Sequence, residues 1–299
     1  MIDPKVDTLL MVAEKRNFTK AAQALSLTQP AVSHHISQLE AELGAKLFLR
    51  RKNVLEPTTE GEIAITYARR MKTTYEKLLT DIQDAGQRLT RLRVGLTHTA
   101  ETNQVAEVLA RYSSQNPGVT MTIITDIIKN LYDMIEHYEL DLAVVEEAPR
   151  DSAFNYVMLD TDELVCVVCN DSPLAGQSMV TLDELAKEKL ILRLPKSGTS
   201  SLFASHLTSI NRSIDEFDVI LEVDNIATIK ECIRRGLGVS VLPRSTCMDE
   251  LRKNKITVLP IEGMRMIREQ VIVYRRDFIH KDILQELMRL YHQGSQPKI

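Results

Sequence analysis

Between Leu25 and Leu43 the apolar positions recur at helical spacing: at about 100° per residue, Val32, Ile36, Leu39 and Leu43 share one face. Pro30, Ser33, His34 and Ser37 point the opposite way. That outer face carries short hydrogen-bonding groups and lacks the Glu/Lys pairs of a merely solvated helix, which predicts close approach to another surface. The flanking segments also read as short helices. Asp3 caps one that opens at Pro4 and turns Val6, Leu9, Leu10 and Ala13 inward, and Thr19 caps a second with Ala21, Ala22 and Leu25 inside. Ser26-Leu27-Thr28 forms the turn, Thr28 caps the third helix, and Gly44 supplies the left-handed residue that ends it. Two helices joined by so short a turn make a helix-turn-helix, in which the second helix enters a groove of double-stranded DNA.

The period then changes. Lys46 to Arg50 and Val54 to Pro57 alternate like strands and flank Arg51-Lys52-Asn53, a hairpin with positive charge at its tip; its place directly after the helix-turn-helix makes it a wing. Thr59-Glu60-Gly61-Glu62 reads as a capping box, followed by Ala64, Ala68, Met71, Tyr75, Leu78, Ile82, Ala85, Leu89 and Leu92 at spacings that alternate between four and three. A seam of about 45 Å exceeds what a small domain can cover, so the same helix of another subunit is its expected cover, with Met71, Tyr75, Leu78 and Ile82 at the contact.

From Leu92 onward strands alternate with helices: Leu92–Leu96, Val119–Thr125, Asp141–Val145, Leu164–Cys169, Leu190–Leu194, Phe217–Val223, Val239–Leu242, Ile256–Ile261 and Gln270–Tyr274 are strand-like. This is α/β architecture of a length that fits two lobes, and such folds bind ligands where strand ends meet helix N-termini. Three segments read that way: Thr97-His98-Thr99, Ser197-Gly198-Thr199-Ser200-Ser201, and Asn225. Their backbone donors and hydroxyls suit a carboxylate or other small anion, and Glu146 at the end of another strand would favour a ligand that also carries an ammonium group, such as an amino acid.

Composition narrows the alternatives. The chain has 299 residues, 44% hydrophobic and 26% charged, with a formal net charge of −4, so any DNA contact comes from a local patch. The start lacks a basic and apolar leader and no apolar run approaches a membrane span, which predicts a cytosolic protein without membrane contact. Cys166 and Cys169 have the CxxC spacing but lie in a strand-like run, and buried structural thiols are expected; redox sensing through the cysteines is the alternative. No GxSxG, P-loop or HExxH occurs, and Gly236-Leu237-Gly238 is not completed to GxGxxG, so the reading is a non-enzyme with no catalytic residues, metal or cofactor. His98, His137 and His206 are expected as surface or packed side chains.

Phe18-Thr19-Lys20-Ala21-Ala22, Leu27-Thr28-Gln29-Pro30-Ala31-Val32-Ser33, Leu39-Glu40-Ala41-Glu42-Leu43-Gly44, Leu47-Phe48 and Thr58-Thr59-Glu60-Gly61 together resemble the DNA-binding half of LysR-type transcriptional regulators. Leu92-Arg93-Val94-Gly95, Asn116-Pro117-Gly118-Val119, Leu140-Asp141-Leu142-Ala143 and Gly236 to Pro243 resemble, more loosely, the effector-binding half. The resemblance implies a winged helix-turn-helix over 1–58, a dimerising linker helix over 59–90, and two Rossmann-like subdomains over 91–299, arranged like a periplasmic solute-binding protein. Lobe I would be 91–161 plus 267–299 and lobe II 162–266, with crossings near Leu159–Asp162 and Gly263–Arg268. It further implies an interrupted dyad as DNA target, a small-molecule effector between the lobes, tetramers, and contact with RNA polymerase. Thr28, Gln29, Pro30, Ser33, His34, Ser37, Arg50, Arg51 and Lys52 are the expected DNA contacts. His34 stands where the family often has Arg and cannot make the bidentate contact to guanine that Arg makes.

Overall fold

The computed structural model describes every residue except Met1, Lys52, Asn53, Arg88, Asn103 and 296–299, and for Arg50, Arg51, Val54, Ala85, Gln87, 294 and 295 the backbone alone. In the N-terminal unit, α1 (Pro4–Lys15), α2 (Phe18–Ala24) and α3 (Gln29–Leu43) precede a hairpin of β1 (Phe48–Arg51) and β2 (Val54–Pro57), and α4 (Thr59–Gln87) follows. Val12 and Val32 are fully buried in its core with Ile36, Leu47 and Ile65. Asp3 caps α1 by accepting from the Lys5 amide, Thr28 caps α3 by accepting from the Ala31 amide at 3.3 Å, and Gly44 ends α3 at φ 65°. Glu40 accepts from the Leu47 amide at 3.0 Å and from Lys46 Nζ at 2.6 Å, tying the wing's first strand to α3.

Several expected details are corrected here. Asn17, not Thr19, caps α2, its Oδ1 accepting from the Lys20 amide at 3.0 Å, because Phe18 is already helical. Thr58, one residue before the expected Thr59, caps α4 by accepting from the Gly61 amide at 2.9 Å while donating to the Lys46 carbonyl at 2.5 Å. Leu43 is exposed, since the apolar stripe of α3 meets the core only at Val32, Ile36 and Leu39. The apolar seam is also shorter than its spacing implied: Ala64 and Ala68 pack into the N-terminal core, and Leu89 and Leu92 lie beyond the end of α4. Leu92 is instead buried in the first strand of the second unit.

That second unit comprises β3 (Thr90–Leu96), α5 (His98–Glu101), α6 (Val105–Gln115), β4 (Val119–Thr125), α7 (Ile128–Glu136), β5 (Leu142–Val145), β6 (Phe154–Val168), α8 (Leu182–Leu185), β7 (Lys189–Arg193), α9 (Gly198–Ser209), β8 (Asp218–Val223), α10 (Ile226–Arg234), β9 (Ser240–Pro243), α11 (Met248–Arg252), β10 (Thr257–Leu259), β11 (Ile267–Arg275) and α12 (Lys281–Ser295). Alternation along the strands builds two three-layer lobes. In β5, Leu142 and Val144 face a core shared with α6 and α12, while Ala143 and Val145 face α7. In the second half of β6, Leu164, Cys166 and Val168 face a core with α9, and Val165 and Val167 face α10. The expected strand at Leu164 therefore starts earlier, at Phe154, and runs unbroken between the lobes; its first half is half-exposed and polar-interrupted, which hid it from the sequence pattern.

β6 pairs antiparallel with β11 from Phe154↔Arg275 to Glu163↔Ile267, with a register shift at Gln270/Val271. Both expected crossings thus lie on or beside paired strands. There Asp162 accepts from the Ser245 amide at 3.1 Å, from Ser245 Oγ at 2.7 Å and from Arg268 Nη2 at 3.2 Å. β3 and β5 are parallel neighbours, as are β7 and β8, which joins the sheet of β9 through a Leu190–Val239 bridge. No helix among the described residues is long and apolar enough to cross a membrane.

Candidate DNA-reading face and ligand cleft

Capping sets the direction of α3 and packing of its inner stripe holds it, so its outer face is presented without further support. Gln29, Pro30, His34 and Ser37 are exposed, Ser33 is half-buried, and the four polar side chains make no hydrogen bond among the described residues. His35 differs: its Nδ1 lies 2.8 Å from Thr8 Oγ1, within the helical packing. Lys52 lies outside the described residues, while the backbones of Arg50 and Arg51 lie in β1. On α4, an apolar row remains uncovered within this chain: Met71, Leu78 and Ile82 are 51%, 50% and 64% exposed, Tyr75 is half-buried, and Ile63 and Tyr67 extend the row toward the helix start.

The second unit holds a cleft of about 550 Å³ between its lobes. Thr97, at the end of β3, caps α5 by accepting from the Ala100 amide at 3.1 Å and donates to Glu146 Oε1 at 2.6 Å. Burial pushes the Glu146 carboxyl above its ordinary value, against the opposing pull of Arg268 and of the Thr97 hydroxyl. Asp126 accepts from the Ile127 amide and Asn130 Nδ2 at the start of α7, which places Lys129 on the wall. Tyr132 Oη donates to the Glu147 carbonyl at 2.6 Å and fixes the loop after β5, where Arg150 sits 3.6 Å from Glu147. Opposite, Arg193 closes β7 with a side chain 3% exposed, paired to Asp224 at 2.9 Å, and Ser197 caps α9 by accepting from the Ser200 amide at 3.2 Å. His98 Nε2 lies 3.5 Å from Asp224 Oδ2, a contact between the lobes.

Of the sequence-derived candidates, Thr97, His98, Thr99, Glu146, Ser197 and Gly198 line this cleft. Thr199, Ser200 and Asn225 do not: Thr199 is buried, Ser200 Oγ donates to the Arg193 carbonyl at 2.6 Å, and Asn225 caps α10 by accepting from the Thr228 amide at 3.1 Å. Ser201, in the same segment as Ser197, also lines it; Lys129, Tyr132, Arg150, Arg193 and Lys196 line it too and were not foreseen, because helix-cap chemistry says nothing about cations and a phenol brought in from other elements. Burial pushes the thiol of Cys166 up to about 12 and that of Cys247 to about 11, which keeps both protonated. Cys169 and Cys232 are half-buried.

A family profile described as "Bacterial regulatory helix-turn-helix protein, lysR family" matches residues 5–62, and one described as "LysR substrate binding domain" matches residues 85–296. The HTH-type transcriptional regulator CbbR of Rhodospirillum rubrum is 30% identical over 269 residues, covering 88% of this chain and 87% of its own. The RuBisCO operon transcriptional regulator of Allochromatium vinosum is 27% identical over 269 residues, covering 89% and 87%. Among solved structures, full-length CbnR complexed with its target DNA shares the fold at TM-score 0.69 and 19% identity, covering 99% of this chain and all (100%) of that one. The Synechocystis PCC6803 CcmR regulatory domain in complex with 2-PG has TM-score 0.59 and 25% identity, covering 67% of this chain and 97% of that one.

Proposed function

We propose, from the premise that this chain belongs to the LysR-type transcriptional regulators, DNA-binding proteins with an effector-binding domain, that the outer face of α3 reads base edges and that the cleft of the second unit takes a small anionic effector. The observation that carries the DNA reading is the outer face itself: Gln29, Ser33, His34 and Ser37 keep their hydrogen-bonding capacity free while the opposite stripe is packed. Gln29 suits adenine, Ser33 and Ser37 can serve donors or acceptors, and His34 suits a guanine edge or a phosphate. Arg50, Arg51 and Lys52 on the wing would grip the neighbouring backbone. The uncovered row on α4 supports a dimer through Met71, Tyr75, Leu78 and Ile82, hence a target with two related half-sites.

For the cleft, its volume fits a small metabolite, and the cations on its walls favour an acid. The similar CcmR regulatory domain, solved with 2-PG, supports a small ligand at the corresponding half of the protein. Redox sensing has less support, since Cys166 and Cys247 are buried and held as thiols. Selection of binding sites from random duplex DNA by the full chain, followed by footprinting, tests the reading. A dyad with protected half-sites, weakened by Gln29→Ala, is the expected result. Protection that is unchanged by Gln29→Ala and by Ser33→Ala would remove α3 from the recognition surface.

A further inference from the structure

The two walls of the cleft carry different charge. The lobe II wall presents Arg193 and Lys196 beside Ser197 and the first turn of the twelve-residue helix α9, and no carboxylate among the lining residues. Arg193 is almost completely buried, and its Nε has no hydrogen-bond partner among the described residues; Lys196 is exposed and has no ion pair among them. The lobe I wall presents Asp126, Glu146 and Glu147 with Lys129 and Arg150. Its carboxylates are already engaged, Glu146 by Thr97 and Glu147 by Arg150.

We propose that the ligand is a small hydroxylated organic acid held with fixed polarity, its acid group on Arg193, Lys196 and the start of α9, and its hydroxyl tail on the Glu146 side of lobe I. This rests on the reading of the cleft as the effector site and adds the orientation and the class of the tail. An anion placed against Lys196, the unpartnered Nε of the Asp224-paired Arg193 and the first amides of α9 gains charge-assisted hydrogen bonds on that wall, whereas on lobe I it would meet three carboxylates beside Lys129 and Arg150. A hydroxyl suits lobe I better than an ammonium does. Lys129 and Arg150 share that wall and repel a cation, and the charge of Glu146 is already opposed by Arg268. A neutral donor needs no such charge to bond the remaining carboxylate oxygen.

The test uses calorimetry on the full chain with D-glycerate, propionate, alanine and glycerol as probes, on the wild type and on Lys196→Gln, Glu146→Gln and Gly198→Trp. Gly198 lines the cleft, and a Cβ there meets nothing within 4 Å, so an indole at this position is expected to take up cleft space. Glycerate is expected to bind at least about tenfold more tightly than propionate or alanine, and glycerol not to bind, the difference that one charge-assisted hydrogen bond supplies. Lys196→Gln should weaken both acids alike; Glu146→Gln should narrow the gap between glycerate and propionate and leave propionate unchanged. Equal binding of glycerate and propionate, tighter binding of alanine, or loss of propionate in Glu146→Gln with none in Lys196→Gln overturns the polarity. Acid binding that survives Gly198→Trp instead overturns the cleft reading itself, and absence of binding by every acid overturns the proposal.

Discussion

The outer face of α3 and the wall of the cleft are both made from hydroxyls and helix starts, yet they leave different groups free. On α3 the side chains of Gln29, Ser33, His34 and Ser37 make no hydrogen bond among the described residues. In the cleft three hydroxyls beside the helix starts are occupied: Thr97 donates to Glu146, Ser201 donates to the Pro195 carbonyl at 3.2 Å, and Ser197 caps its own helix. The cations without an ion pair there among the described residues are Lys129 and Lys196. Short neutral donors and acceptors discriminate by geometry, as base edges require, whereas cations select by charge and tolerate varied acids. On the proposed reading, the same residue types build a sequence reader in one region and the frame of an anion site in the other.

The largest expected effect separates the two through assembly. Leu78→Asp would put a charge into the contact proposed between the apolar row of α4 and a second copy, costing roughly 3–5 kcal/mol of association if that charge is buried unpaired. Sedimentation should show dissociation at micromolar concentration and binding to a two-half-site DNA should fall, while glycerate binding in the cleft persists. An intact Leu78→Asp dimer would move the interface elsewhere. The next effect acts on each scaffold. A Cβ on Gly61 would lie 2.0 Å from the Leu47 carbonyl oxygen, and one on Gly238 would lie 2.5 Å from the Lys189 carbonyl oxygen. Neither backbone can step aside cheaply, so Gly61→Ala and Gly238→Ala should each cost about 1–3 kcal/mol or more. Scanning calorimetry should find the loss in the N-terminal unit for the first and in the effector unit for the second; the reverse assignment, or none, would show that these approaches relax.

A smaller effect sharpens the functional contrast. Gln29→Ala should lower specific DNA affinity by about 1–3 kcal/mol with an unchanged salt slope, and Arg51→Ala should flatten that slope. Lys196→Gln should do neither without ligand. Titrations at several salt concentrations check all three, and a slope that follows Gln29 would recast α3 as a phosphate clamp.

The unequal legibility of the two regions has a physical basis. The recognition face lies on one helix, so spacing alone sorts Val32 and Ile36 from Ser33 and Ser37, and caps such as Asp3, Thr28 and Gly44 announce the helix ends. The misplaced caps at Thr19 and Thr59 arose where a second capable residue, Asn17 or Thr58, stood within two positions. The cleft is assembled from segments far apart in the chain. Its capping residues Thr97 and Ser197 were readable because a helix start has a local pattern, but nothing local marks Lys129, Arg193 or Lys196, which meet only when the lobes do. Asn225 shows the converse: a true cap, correctly read as one, that does not reach the cleft wall. The first half of β6 escaped because Asp160, Thr161 and Asp162 break the apolar alternation where the strand passes between cores.

The smallest effect concerns pH and bears on the cleft alone. Burial holds the Glu146 carboxyl above its ordinary value of 4.5, a shift that Arg268 and the Thr97 hydroxyl only partly offset. A carboxyl whose pKa is raised on folding binds protons more readily in the folded state than in the unfolded one. Its contribution to stability is therefore fully present below the unfolded value and is lost as pH rises through the folded value. The effector unit should thus be relatively more stable near pH 4 than near pH 8 by this contribution, and Glu146→Gln, which cannot ionise, should remove it. Melting temperatures taken at both pH values are expected to favour the variant at pH 8 and not at pH 4, while Gln29→Ala on α3 keeps the wild-type profile. Should Glu146→Gln instead lower stability at pH 8 more than at pH 4, the carboxylate's pairing with Arg268 outweighs its burial, and lobe I would present a settled ion pair to the ligand.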